Sequence, residues 1–134
     1  MRWLLDTSVY SQPLKKKPLL ATLTKWEKLG DIDCVISSVC TAEVEWGLHY
    51  ANSASLWERY HHLLEGRLKV LQVTENTWSQ FAKMNARQRK IGQIISDLDL
   101  LIAASAVEHR LTLATLNRSD FQRIEALSWE DWGA

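Results

Sequence analysis

Four acidic residues have the types and positions that could do chemistry: Asp6, Glu43, Asp99 and Asp120. Small polar residues stand near them, with Thr7 and Ser8 after the first acid, Ser37 and Ser38 ahead of Glu43, and Thr115 and Asn117 before the last. Taken singly, each acid has a plainer reading. Asp6 would cap a turn, Glu43 would be a helix-surface charge, Asp120 would cap a helical turn, and Asp99 would close a capping box three residues after Ser96. Taken together they mean more, because converging carboxylates repel one another and burial raises their pKa values. A divalent cation neutralises such a cluster. Oxygen donors with no His or Cys among them suit Mg2+ or Mn2+ rather than Zn2+. The chemistry implied is metal-assisted phosphodiester hydrolysis.

Whether the acids converge depends on the elements that carry them. Trp3 to Leu5 reads as a short buried strand ending at Asp6, and the segment between Pro13 and Pro18 as a loop. Leu19 to Leu29 has helical spacing, with Gly30 placed to stop it. Cys34 to Ser37 is a second strand, and Ser37 or Ser38 caps a helix from Val39 to Tyr50. A further helix spans Ala54 to Glu65, Leu68 to Val73 alternates as a third strand, and Thr74 caps a helix running to Lys90. Ser96 opens a helix that is apolar nearly all round, hence buried. Leu111 to Thr115 is a fourth strand, Asn117 to Asp120 a turn, and Leu127 to Trp129 a short fifth strand. This alternation predicts an α/β fold with a parallel sheet covered on both faces.

Open parallel sheets place functional residues at the carboxyl ends of their strands. Asp6, Ser37, Ser38, Thr115, Asn117 and Asp120 all fall there. The helix opening at Ser96 brings Asp99 to the same rim. Glu43 lies in the second turn of its helix, at the border of the buried stripe, whereas Glu45 points roughly 200° away. Asp97 stands in the same relation to Asp99 and reads as a helix-cap or supporting residue.

Length and composition bound the rest. The 134 residues predict one domain, and 16 basic against 16 acidic side chains exclude a polybasic nucleic-acid glove. The two cysteines, Cys34 and Cys40, make neither a disulfide scaffold nor a Cys-only zinc site and read as core residues of a reducing compartment. Asp6 follows the start too closely for a signal peptide, and the apolar stretch from Leu100 to Val107 is far short of the ~20 residues of a membrane span. A soluble, cytoplasmic protein is expected. A haloacid-dehalogenase-like phosphatase is disfavoured by Ser8, which stands where a second aspartate would be. No glycine-rich turn follows the first strand, which disfavours a nucleotide-binding Rossmann fold.

The blocks Leu5-Asp6-Thr7-Ser8, Ser37-Ser38 with Glu43 and Gly47, Asp99 to Ala104, and Leu113 to Phe121 occur in the order and spacing of a PIN domain. The chain resembles this family almost throughout, down to Trp129-Glu130-Asp131-Trp132, and most of all the VapC-type ribonuclease toxins of bacterial toxin–antitoxin modules. The resemblance implies a PIN-like three-layer α/β fold, with a central parallel sheet of four to five strands flanked by helices, over residues 1–134 as a single domain. It implies an endoribonuclease whose Asp6, Glu43 and Asp99 bind Mg2+ or Mn2+, with Asp120 as a further catalytic acid. Asn117 or Asp120 would fill the fourth slot, giving a well-held first metal and a weaker second. Thr7, Ser8 and Thr115 match positions that orient water or phosphate, although Ser8 stands where many relatives carry asparagine. Products with a 5′-phosphate and a 3′-hydroxyl, a cognate antitoxin and a homodimer are further implications. The competing reading is a PIN fold that no longer cuts and serves as an RNA-binding or protein-interaction scaffold.

An RNA substrate needs positive charge. Arg118, Arg89 and Lys90 are the expected RNA contacts, with Lys15-Lys16-Lys17 and Arg87 as further basic candidates. Among the 7 tryptophans, Trp46 and Tyr50 are spaced i, i+4, as are Trp57 and His61, so core or interface stripes are expected. Trp26 and Trp46 are candidates to line a groove for an antitoxin peptide. His49, His61, His62 and His109 lack ligand spacing and read as surface or core residues.

Overall fold

The computed structural model describes residues 1–133 of the chain. In order, its elements are β1 (Trp3–Leu5), α1 (Thr7–Tyr10), α2 (Leu20–Leu29), β2 (Cys34–Ser37), α3 (Ser38–Ala51), α4 (Ala54–Leu63), β3 (Lys69–Leu71), α5 (Glu75–Lys90), α6 (Asp97–Glu108), β4 (Thr112–Thr115), α7 (Arg118–Phe121) and β5 (Trp129–Asp131). Short 3-10 turns, Gln12–Leu14 and Asp31–Asp33, precede α2 and β2. The five strands form one all-parallel sheet in the order β3-β2-β1-β4-β5. The α/β reading and the parallel sheet hold.

Burial explains why these short strands suffice. Trp3, Leu4 and Leu5 are all buried, as are all four residues of β2. Neighbouring strand residues face opposite sides, so unbroken burial requires helices on both faces. The core runs from these strands into α6, whose Leu100, Leu101, Ile102, Ala103, Ala104 and Ala106 are all buried. Cys34 and Cys40 are free and buried within it. No helix among the described residues is long and apolar enough to cross a membrane.

Strand order decides where a ligand can enter. From β1 the chain steps outward to β2 and β3, then returns to the other side of β1 for β4 and β5. This reversal leaves a crevice outside the carboxyl ends of β1 and β4, the place where open α/β sheets bind their ligands.

Caps fix the element ends. Ser37 Oγ accepts from Val39 N at 3.1 Å, which identifies Ser37 rather than Ser38 as the α3 cap. Gly30 closes α2 with φ 85° and ψ 151°, a region essentially reserved for glycine. A Cβ at Gly30 would meet nothing within 4 Å, so the cost of a side chain there is purely conformational. Gly30→Ala is expected to destabilise the fold by about 2 kcal/mol in urea unfolding. Gly30→Asn should be no better, because asparagine tolerates the left-handed helical region rather than this one.

The sequence expectations need adjustment at three places. The third strand pairs only over Lys69–Leu71, not Leu68 to Val73. The fifth strand is Trp129–Asp131, and Leu127 lies before it in a turn whose amide donates to Ile124 O at 3.2 Å. Leu127 is buried, but apolar character marks burial, not ladder pairing. Asn117 to Asp120 is not a simple turn: Asn117 precedes the short helix α7 without a side-chain cap, and Phe121, fully buried, holds that helix to the core.

Candidate functional site

Asp6 is 4% exposed and sits at the carboxyl end of β1. Its own amide continues the β1–β4 pairing by donating to Ala114 O at 3.0 Å. Its carboxylate then bridges the crevice. Oδ1 accepts from the Ser8 amide (2.7 Å), the Val9 amide (3.3 Å) and the Ser8 hydroxyl, while Oδ2 accepts from Thr115 Oγ1 at 2.6 Å. Ser8 Oγ in turn accepts from Leu116 N at 3.0 Å, and Thr115 Oγ1 accepts from Asn117 N at 2.8 Å. Both hydroxyls are therefore oriented, with their protons committed to Asp6. Thr115→Val keeps the shape but removes one donor. It is expected to cost about 2 kcal/mol in stability, read as a lower urea midpoint.

Glu43 reaches the same rim from α3, where Thr7 Oγ1 donates to its Oε1 at 2.6 Å. It is half-buried, whereas Glu45 is exposed, in line with their divergent helix faces. Asp99 lies half-buried in the first turn of α6, and Asp97 is exposed on the same turn. Ser96 makes no side-chain cap to the helix backbone, so the expected capping box is not formed.

The electrostatics tie these acids into one group. Burial pushes Asp6, Glu43 and Asp99 above the ordinary carboxylate range. The Asp99 and Asp6 charges push Glu43 further up, and the Asp120 charge does the same for Asp99. Hydroxyl and amide donors pull in the other direction without cancelling the rise. Among the described residues, no lysine, arginine or histidine nitrogen lies within 4.0 Å of the Asp6, Glu43 or Asp99 carboxylates. An oxygen-only donor set left with uncompensated negative charge fits a hard divalent cation. Among the described residues no three acidic, His or Cys side chains already stand close enough to cage an ion. Asp6 and Glu43 are turned instead onto their own hydroxyl partners.

Asp120 is arranged differently. Oδ2 accepts from Asn117 Nδ2 at 3.0 Å, and Oδ1 pairs with Arg123 Nη2 at 2.8 Å. Sequence reasoning missed Arg123, although its i, i+3 spacing from Asp120 on a short helical stretch is a readable signal. Asn117 Oδ1 accepts from Ser119 Oγ at 3.3 Å.

A groove of about 900 Å3 opens beside Glu43 and Thr7 and extends along α3 past Trp46 and Gly47 to Leu98. Trp46 and Tyr50 stack with an interplanar angle of 4° and are 70% and 82% exposed, so they are a surface pair rather than core. Trp57 and His61 stack likewise at 29°. Trp26, expected to line a groove, is instead buried. Its indole donates to Asp31 Oδ1 at 2.8 Å and lies under the Arg67 guanidinium. The four histidines are exposed.

Arg118, Arg89 and Lys90 are exposed, as are Lys15, Lys16 and Lys17. Arg118 opens α7 beside Asn117. Gln88 ties the last turn of α5, which carries Arg89 and Lys90, to the Arg123 carbonyl at 3.2 Å. Arg87 is engaged in an ion pair with Glu125.

Comparison with known proteins identifies the family and the fold. The family profile described as PIN domain matches residues 3–127. The chain is similar to Ribonuclease VapC2 of Haemophilus influenzae, 30% identical with 98% of each chain covered. It is also similar to the tRNA(fMet)-specific endonuclease VapC of Shigella flexneri, 27% identical over 98% of each. Among solved structures, VapBC2 from Rickettsia felis, bound to a DNA fragment from its promoter, superposes with a TM-score of 0.85. Its identity is 26%, and the match covers 98% of this chain and 99% of that one.

Proposed function

Because the chain belongs to the PIN-domain family, we propose that it is a metal-dependent endoribonuclease and the toxin component of a toxin–antitoxin module. The observation that carries the reading is the gathering of Asp6, Glu43 and Asp99 at the topological switch point, all three raised by burial and the latter two also by neighbouring acids, with no ion-pair partner among the described residues. The names of the relatives from Haemophilus influenzae and Shigella flexneri support RNA as the substrate. The Rickettsia felis VapBC2 assembly supports a cognate antitoxin as partner, and a homodimer is proposed on the family resemblance.

In this reading Asp6, Glu43 and Asp99 hold Mg2+ or Mn2+. The ion, when bound, supplies charge stabilisation at the scissile phosphate and an activated water. The chain does the rest. Thr115 and Ser8 fix the orientation of the Asp6 carboxylate. Thr7 holds Glu43 toward the crevice. Arg118, Arg89 and Lys90 take up the phosphates flanking the cut. The test is cleavage of total cellular RNA by the purified chain with Mg2+, Mn2+ or EDTA. Discrete fragments that vanish in EDTA are expected. Absence of cleavage by a folded, antitoxin-free protein that binds Mn2+ would favour the scaffold reading.

A further inference from the structure

Asp120 differs from the other three acids of the rim in having a cation of its own. Arg123 Nη2 lies 2.8 Å from Oδ1, and Asn117 Nδ2 lies 3.0 Å from Oδ2, so both carboxylate oxygens are engaged by donors of the same segment. The pair is about two-thirds buried on each side, with 34% side-chain exposure for both residues. That degree of cover takes it out of the class of freely solvated surface pairs.

Arg123 is held in place from behind. Gln88, 1% exposed, donates through Nε2 to the Arg123 carbonyl at 3.2 Å and to the Gln93 carbonyl at 3.0 Å. Arg123 Nε is buried without a hydrogen-bond partner among the described residues, which leaves Asp120 as the acceptor in contact with this guanidinium. The Asn117 amide is committed at both ends, its nitrogen to Asp120 and its oxygen to Ser119 Oγ at 3.3 Å. Of the two candidates for a fourth metal ligand, Asp120 therefore has its charge already paired and Asn117 has no charge to offer.

Resting on the metal reading above, we propose that Arg123 is a built-in counter-ion that takes the place of a second metal. Asp120 then acts as a charge-balanced positioning residue, and Asp6, Glu43 and Asp99 hold a single divalent ion. A fixed guanidinium against Asp120 repels a second dication at the short range where Coulomb interactions count. Without it, Asp120 would stand as an unopposed charge beside Asp99 and complete a second carboxylate-lined position.

The test is Mn2+ binding to the metal-free full-length protein, measured by calorimetry and by electron paramagnetic resonance, with circular dichroism to verify folding. The wild type is expected to take up one Mn2+ per chain. Asp120→Asn, whose carbonyl can still accept from Arg123 while its amide donates to a flipped Asn117 carboxamide, should change the Mn2+ Kd by less than about threefold, because the charge it removes is already offset. Asp6→Asn should weaken binding by at least about tenfold, as loss of a ligand costs no less than loss of a supporting partner. Arg123→Gln should bind a second Mn2+ per chain, Arg123→Lys should return to one, and the double variant Arg123→Gln/Asp120→Asn should also return to one.

Loss of Mn2+ by Asp120→Asn to the extent seen with Asp6→Asn would overturn the inference while leaving the metal reading intact. Unchanged stoichiometry in a folded Arg123→Gln would overturn it too. A wild type that binds no Mn2+, or an Asp6→Asn variant that binds it unchanged, would overturn both.

Discussion

Asp6→Asn is expected to lower RNA cleavage at least about a thousandfold, because a catalytic ion supplies several kcal/mol and each 1.36 kcal/mol is a factor of ten. The fold should survive. The carboxylate is replaced by a group of the same shape, whose remaining carbonyl can still accept from the Ser8 and Val9 amides. Its new amide would face Thr115 Oγ1, which accepts one hydrogen bond from Asn117 N and has a lone pair to spare. The discriminating measurement is single-turnover cleavage beside the circular dichroism spectrum. Inactivity with a native spectrum assigns Asp6 to the chemistry. Residual cleavage within tenfold of wild type would remove it from the site. Asp99→Asn should behave alike, since Asp99 is half-buried at the start of α6 and makes no helix cap that its charge must sustain.

The second large effect concerns stability. Asp6, Glu43 and Asp99 all titrate above the ordinary carboxylate range in the folded chain. Between that range and their raised values, the folded state binds more protons than the unfolded one, so stability falls as pH rises through the window. The deficit persists at every pH above the raised values, where the carboxylates are charged against burial. In EDTA the melting temperature should therefore rise as the pH is lowered through that window. This is opposite to the trend expected of salt-bridged carboxylates. Adding Mn2+ at neutral pH should reverse the deficit, by about 2.7 kcal/mol at a concentration a hundredfold above Kd. Asp99→Asn should raise the melting temperature in EDTA by a few degrees and reduce the response to Mn2+. A melting temperature that is flat with pH and insensitive to Mn2+ in the wild type would contradict both the burial of these charges and their proposed ligand.

Arg123 shows why the two kinds of information differ. The sequence carries what is local. The apolar run at Trp3 to Leu5 and the β-branched run at Val35 and Ile36 mark strands, Gly30 marks a helix end, and the all-round apolar α6 marks a buried helix. Each of these follows from propensity or periodicity within a few residues, and each stands where those local rules place it. The alternation of strands and helices is then enough to put Asp6, Thr115 and Asn117 at one sheet edge, because parallel sheets admit few topologies. The helix opening at Ser96 brings Asp99 to the same edge, and resemblance to the PIN family gives Glu43 that destination.

Long-range choices are not local in that sense. Leu127 and Trp26 are apolar in sequence, but whether an apolar residue pairs in a ladder, lines a groove or fills the core is decided by which surfaces meet. Trp26 is drawn inside by an indole partner at Asp31 and a guanidinium lid from Arg67, a residue separated from it by β2, α3 and α4. The exposed stack of Trp46 and Tyr50 is the converse case, an i, i+4 aromatic pair for which the fold provides no cover. The charge state of the rim is likewise a tertiary property. Asp6, Glu43, Asp99 and Asp120 are all carboxylic acids in the sequence, but desolvation and neighbouring charges leave three of them uncompensated and give the fourth its own arginine. The sequence by itself determined which elements form and which acids reach the sheet edge, because periodicity and strand polarity act over short stretches of chain. Only the tertiary structure decided which of those acids keep a bare charge, because burial and Coulomb interactions depend on distance in space.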